Sequence, residues 1–231
     1  MTYITIPAKD KGSFQAYIAM PEEKPAGCVI VIQEIFGINQ GIREKCDWLA
    51  SQGFIACAPD LFWRIEPGIE LSDQVPEELQ IAFDLFGKFD IDAGIEDLRS
   101  TYHTLKGHAE GNGKVGCLGY CLGGKLAYLM SCRSDVDASI GYYGVGIEGL
   151  LAEANNIDSP LMLHIAEEDG FVPKDAQEQI HAGLENNNFV TRHSYADMDH
   201  AFTRVGGDAY NEEQAKIADD RSIEFLKSAL K

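Results

Sequence analysis

The residues best placed to do chemistry stand in Gly119-Tyr120-Cys121-Leu122-Gly123-Gly124. An apolar, strand-like run, Val115-Gly116-Cys117-Leu118, leads into this glycine-flanked turn. A helical pattern follows, with Leu122, Leu126 and Leu129 on one face. The arrangement fits the G-x-S-x-G nucleophile elbow, with Cys in the Ser position. Such a turn holds its central residue in strained geometry, and side chains at −2 and +2 would strike neighbouring backbone, so Gly119 and Gly123 are needed there. Gly124 would let the helix approach the sheet closely. A thiol at a helix N-terminus is favoured as the anion. The Leu122 N–H, next to the nucleophile, would point into an oxyanion hole. The bland alternative is a tight turn around a buried cysteine; a strand before and a helix after speak for catalysis.

Partners are sought in the order nucleophile, acid, His. After Cys121 the strand-like Leu161-Met162-Leu163-His164-Ile165 opens into Ala166-Glu167-Glu168-Asp169-Gly170-Phe171-Val172-Pro173. A carboxylate in the loop after a late strand is where an orienting acid belongs. Asp169, followed by a glycine and a Val-Pro turn, is the best choice, with Glu167 and Glu168 as rivals. His200 lies in Asp197-Met198-Asp199-His200-Ala201-Phe202, before the last helix, which suits a base reaching back to Cys121. His103, His108, His164, His181 and His193 precede the elbow or lie within strands and helices, and read as structural or solvated.

Regular elements must position these groups. Strand-like runs lie near 2–6, 14–20, 28–33, 54–58, 114–118, 137–142, 160–165 and 190–196, with helix-like runs between most of them. Ile42, Cys46 and Leu49 share a helix face, with Gly53 where that helix would stop. Ile95, Leu98, Tyr102 and Leu105 repeat the pattern after Asp92 as N-cap. Ala218, Ser222, Phe225 and Ala229 give the final helix a small-residue face. The first two strands have no helix between them and predict an antiparallel hairpin at one sheet edge. From residue 28 onward the alternation predicts an α/β protein whose mainly parallel sheet carries helices on both faces. Ligands then gather at the carboxyl ends of the central strands.

Charge narrows the function. The 231 residues carry 37 Asp+Glu against 19 Lys+Arg, a formal charge of −18. That excess speaks against nucleic acid, which needs a cationic face, and against anionic membranes. Ten acids and one base, Lys88, fall in residues 66–98, read as a solvated rim insertion and helix. Nine more acids face only Lys174 in 147–185. Screening over about 8–10 Å leaves substrate charge to local groups. No signal peptide or CxxC pair is seen, so reduced thiols and a cytoplasmic location are expected. Five of the six cysteines read as small core residues. No HExxH or dinucleotide glycine fingerprint appears, so neither metal nor organic cofactor is expected.

The chain resembles the dienelactone hydrolases (carboxymethylenebutenolidases). Four motifs carry the resemblance over nearly the whole length: Gln33-Glu34-Ile35-Phe36-Gly37, Ala58-Pro59-Asp60-Leu61, Gly119-Tyr120-Cys121-Leu122-Gly123-Gly124 and Gly141-Tyr142-Tyr143-Gly144. It implies a single α/β-hydrolase domain over 1–231 with a Cys121–His200–Asp169 triad; separately, a monomer acting on a small-molecule substrate is expected. It implies that Glu34 contacts the nucleophile and helps form the thiolate, and that the Ile35 N–H is a second oxyanion donor. Arg204 matches the basic residue that pairs with that Glu and with a substrate carboxylate. Phe36, Phe83, Phe171 and Tyr143 are the expected substrate-binding residues. The chain departs from the family where Leu79 replaces a second substrate Arg, where Phe83-Asp84-Leu85-Phe86 replaces an aromatic–Lys–Leu–Trp stretch, and where Ala201 replaces the Ser after the His. The expectation is hydrolysis of a small lactone or ester through an acyl-enzyme. A carboxylesterase or thioesterase with a more apolar pocket is the alternative, and a non-catalytic binding domain the remaining one.

Overall fold

Apolar runs bounded by turns become strands, and the 3.6-residue patterns between them become helices. The computed structural model describes residues 2–231. Its strands are β1 (Thr2–Pro7), β2 (Ser13–Ala19), β3 (Ala26–Ile32), β4 (Ile55–Pro59), β5 (Gly111–Tyr120), β6 (Ala138–Tyr142), β7 (Leu161–Ala166) and β8 (Val190–Tyr195). Its helices are α1 (Gln40–Ser51), α2 (Pro76–Lys88), α3 (Ile91–Lys106), α4 (Leu122–Arg133), α5 (Lys174–Gly183) and α6 (Glu212–Leu230). A 3-10 segment spans Glu148–Asn156. The eight strands form one sheet in the order β1-β2-β4-β3-β5-β6-β7-β8. Each expected strand is present, β5 starting earlier than its apolar run. The chain clusters into two compact units that divide within β5, after Gly116.

In the first unit β1 and β2 form the expected antiparallel hairpin, from Thr2 opposite Ile18 to Pro7 opposite Ser13. β2 runs antiparallel to β4, and β3 parallel to β4. Every residue of β3 and β4 is buried. Successive strand side chains point to opposite faces, so both faces of these strands are covered. α1, through Ile42, Cys46 and Leu49, and α3 both pack on them. Gly53 ends the α1 turn with φ +93°.

Three local expectations shift. The N-cap of α3 is Asp90, whose carboxylate accepts the Ala93 N–H at 3.0 Å, and Asp92 falls inside the first turn. The buried face of α6 keeps Ala218 and Ser222 but turns toward Ala215, Ile223, Leu226 and Leu230, leaving Phe225 and Ala229 half-exposed. Asp97, counted with the solvated rim acids, is fully buried. Arg64 donates to both its oxygens at 2.8 Å, and the Trp63 indole N–H adds a third bond at 2.8 Å. A buried carboxylate needs such partners, because leaving it unpaired is costly. α2, by contrast, is largely solvated, with only Ala82 and Leu85 buried.

In the second unit β6, β7 and β8 are parallel neighbours. α4 packs on β6, and α6 packs on β6 and β7. α4 is buried on nearly all sides, as a helix at the centre of an α/β core must be. Among the described residues, no helix is long and apolar enough to cross a membrane.

Candidate active site

β5 passes to α4 through one residue, Cys121, at φ +56° and ψ −114°. A non-glycine residue in that region stores roughly 1–3 kcal/mol of strain and persists only where its surroundings fix it. Here they do. A Cβ on Gly119 would stand 2.0 Å from the Gly123 carbonyl oxygen, so the turn closes only with glycine two residues before Cys121. A Cβ on Gly124 would stand 2.5 Å from the Tyr142 carbonyl oxygen, so α4 rests directly on β6. The Cys121 N–H donates to that same Tyr142 oxygen at 3.1 Å. Leu122 is the first residue of α4, so its N–H is one of the helix donors without an intrahelical acceptor.

Asp169 follows β7 and is buried. Its Oδ1 accepts the Phe171 N–H at 2.8 Å, and its Oδ2 lies 2.9 Å from His200 Nδ1. Both oxygens are thereby fixed. The rivals separate cleanly: Glu168 is exposed and pairs with Lys174 at 3.0 Å, and Glu167 is half-exposed. Their backbones instead tie the acid loop to the His200 loop, Glu167 N–H to Tyr195 O at 3.1 Å and Glu168 N–H to Met198 O at 2.8 Å.

His200 hydrogen-bonds Cys121 as well as Asp169. With Nδ1 engaged by Asp169, Nε2 is the nitrogen facing the thiol. Burial disfavours the charged ring, but the Asp169 carboxylate and the Cys121 sulfur outweigh it and push the His200 pKa up to about 10. The ring is wedged edge-on between Tyr143, with centroids 5.0 Å apart, and Phe171, at 4.9 Å. Tyr143 is buried and held by its hydroxyl against Thr203 Oγ1 at 2.9 Å, whereas Phe171 is 57% exposed. The other five cysteines are buried. Burial raises the thiols of Cys28 and Cys132 to about 11, so they stay protonated at neutral pH.

The second unit thus brings together Cys121, Leu122, Asp169, His200, Tyr143 and Phe171. Arg204 belongs to the same unit, half-buried, its N–H donating to Ala201 O at 2.9 Å. Glu34, Ile35, Phe36 and Phe83 are carried by the first unit. Glu34, Ile35 and Phe36 are buried just past β3, and Phe83 is exposed on α2. Gly37 turns the chain at φ +76°, where a Cβ would meet Ile69 O at 1.8 Å.

Gln33 and Asp60 stand in the quoted motifs with no role of their own, and the structure gives each one. Gln33 is fully buried; its amide donates to Glu34 O at 3.3 Å and accepts the Leu61 N–H at 3.1 Å. It therefore ties the end of β3 to the loop after β4, and the signal was a polar residue closing an all-apolar strand. Asp60 accepts the N–H groups of Phe62 at 3.0 Å and Gly68 at 2.8 Å. In the second unit His164 Nδ1 lies 2.7 Å from the Tyr195 hydroxyl and its Nε2 3.0 Å from Ser222 Oγ. Arg221 donates to the Tyr195 hydroxyl oxygen at 3.1 Å.

Residues 14–230 match the model of the dienelactone hydrolase family. A protein of Azospirillum brasilense named "Putative carboxymethylenebutenolidase" is 46% identical over 232 residues, with 100% of both chains covered. The carboxymethylenebutenolidase of Pseudomonas putida is 36% identical over 223 residues, covering 96% of this chain and 94% of that one. Among solved structures, a "Putative Dienelactone Hydrolase" from Klebsiella pneumoniae superposes with a TM-score of 0.87 at 26% identity, covering 98% and 97% of the two chains. A match along almost the whole sequence, on an α/β sheet with a thiol at its strand-to-helix elbow, has one consequence: this chain belongs to the dienelactone hydrolase family, hydrolases of ester and lactone bonds with the α/β-hydrolase fold.

Proposed function

We propose that this chain hydrolyses small lactones or esters by covalent catalysis, with Cys121 as nucleophile, His200 as acid–base and Asp169 as its orienting carboxylate. The observation that carries the reading is that His200 touches both Asp169 and Cys121 while Cys121 occupies a strained strand-to-helix turn. Cys121 Sγ forms a bond to the substrate carbonyl carbon, and its proton passes to Nε2. The Leu122 N–H stabilises the oxyanion. Collapse breaks the C–O bond, and the imidazolium protonates the leaving oxygen; in a lactone that oxygen remains on the acyl chain. Water then attacks the thioester carbon, gives its proton to His200 and releases a carboxylic acid as the C–S bond breaks and the sulfur regains a proton. The raised His200 pKa supports a ring that holds the thiol proton until the leaving group needs it.

The family resemblance supplies the remaining roles: Glu34 as a helper in forming the thiolate, Ile35 as second oxyanion donor, Arg204 as the cation for a substrate carboxylate, and Phe36, Phe83 and Tyr143 as walls. In the same reading residues 1–231 act as one monomeric cytoplasmic domain on a small molecule, with no metal or organic cofactor.

A second reading, a more apolar ester or thioester, is favoured by the exposed Phe171 ring against His200 and by Leu79 in place of a second Arg. Purified protein assayed on cis- and trans-dienelactone and on neutral aryl esters, with Cys121→Ala as control, separates them. Dienelactone turnover abolished by C121A supports the first reading. Turnover of neutral esters alone selects the second. Full activity in C121A rejects both.

A further inference from the structure

The loops carrying Asp169 and His200 meet at one atom. Asp199 Oδ1 accepts the Gly170 N–H at 3.1 Å and the His200 N–H at 2.6 Å. Gly170 is the residue after the acid, and His200 is the base itself. One oxygen is therefore anchored to both halves of the dyad through backbone, without touching either ring or carboxylate. The backbone-to-backbone ties between the loops, from Glu167 and Glu168, reach Tyr195 and Met198 and stop short of His200. The segment also needs holding. Asp197 at φ +60° and Ala201 at φ +61° flank His200 in a conformation that side-chain-bearing residues seldom adopt. An ionised acceptor binds N–H groups more strongly than a neutral one, so a carboxylate is well suited to the task.

We propose that Asp199 is a positioning residue that clasps the acid loop to the base loop and so sets the Asp169–His200 hydrogen bond. The proposal rests on the triad reading above. The requirement on residue 199 is geometric. Asparagine, which keeps Oδ1 as an acceptor for both N–H groups, should serve nearly as well, while a side chain without a reaching acceptor should not. The loss should appear in kcat and leave KM alone, because Asp199 acts on the orientation of His200 and not on substrate.

The test compares wild type, D199N, D199A, D199S and C121A on p-nitrophenyl acetate, together with the downfield proton resonance of His200 Nδ1–H. D199A should lower kcat on the order of 10–100-fold, the scale of a misplaced catalytic group. Its KM should stay within about twofold. The Nδ1 proton should broaden or disappear. D199S, too short to span both N–H groups, should behave alike and stands in if D199A does not fold. D199N should keep the resonance and stay within ~3-fold of wild type. Wild-type kcat and an intact resonance in D199A or D199S overturn the clasp, as does a D199N as impaired as D199A. An active C121A would instead overturn the triad reading itself, so the two failures are distinguishable.

Discussion

Asp169 and His200 are joined by a hydrogen bond of 2.9 Å between Oδ2 and Nδ1, with the carboxylate side chain 1% and the imidazole 9% exposed. Little solvent screens that pair, and the other carboxylate oxygen is held by Phe171 N–H. The carboxylate thus fixes both the orientation and the charge preference of the His200 ring.

Replacing it with Asn should keep the shape and lose the charge. D169N is expected to fold, with circular dichroism unchanged, and to lose on the order of 10²–10⁴-fold in kcat on a small aryl ester. It should also move the alkaline limb of the rate profile down, since the imidazolium loses the carboxylate that keeps it charged toward pH 10. A D169N enzyme within tenfold of wild type would transfer the orienting role elsewhere.

Stability should fall away on both sides of neutrality, through different histidines. His164 is buried against Tyr142, Tyr195, Ser222 and His193, with Arg221 nearby; burial and then His193 and Arg221 hold its pKa well below the ordinary 6.5. Below that value the unfolded chain binds a proton that the folded chain refuses, so stability drops as pH falls. His200 has a raised pKa and works in reverse. Its contribution is complete below pH 6.5 and is lost as pH rises through about 10. Melting temperature followed against pH should show both slopes. His164→Asn should flatten the acid one, and an unchanged acid slope would remove His164 as its source.

Gly124→Ala tests the support beneath the elbow. The new Cβ would lie 2.5 Å from Tyr142 O and 2.9 Å from Gly144 Cα, both backbone. Neither can step aside as a side-chain tip can, so α4 must lift from β6. Overpacking of this kind costs about 1–3 kcal/mol, readable by urea denaturation. Because Tyr142 O also accepts the Cys121 N–H, kcat should fall in the folded fraction too.

Phe171→Ala addresses substrate choice. The ring is largely exposed and makes an edge contact with His200. Its removal should forfeit about 0.5–1.5 kcal/mol of aromatic contact, roughly 2- to 12-fold in kcat/KM on aromatic esters. Carboxylated lactones should lose less. Equal losses on both substrate types would place Phe171 in support of His200 alone.

The linear order of residues already contained the elbow. Gly119, Cys121, Gly123 and Gly124 are neighbours in the chain, and their requirement is local backbone geometry that any strand-to-helix turn imposes. The hairpin of β1 and β2 and the buried faces of α1 and α4 were legible for the same reason, since periodicity reports which face is covered. Asp169 and His200 could be nominated by their place after late strands.

Tertiary structure decided what depends on who meets whom. The glycine and Val-Pro turn after Asp169 favour it over Glu167 and Glu168 in sequence, but only packing gives it a buried place against His200 and leaves Glu168 in solvent beside Lys174. Asp97 reads as one more rim acid until Arg64 and Trp63, more than thirty residues earlier, close around it. Asp90 replaces Asp92 as a cap because the helix starts where a carboxylate can reach the Ala93 N–H, a matter of one turn's phase. Asp199 is one acid among 37 in the chain, yet its Oδ1 accepts from Gly170, 29 residues earlier, as well as from its neighbour His200. Charge counts and spacing are properties of a line; burial, partner and hydrogen-bond direction exist only once the line is folded.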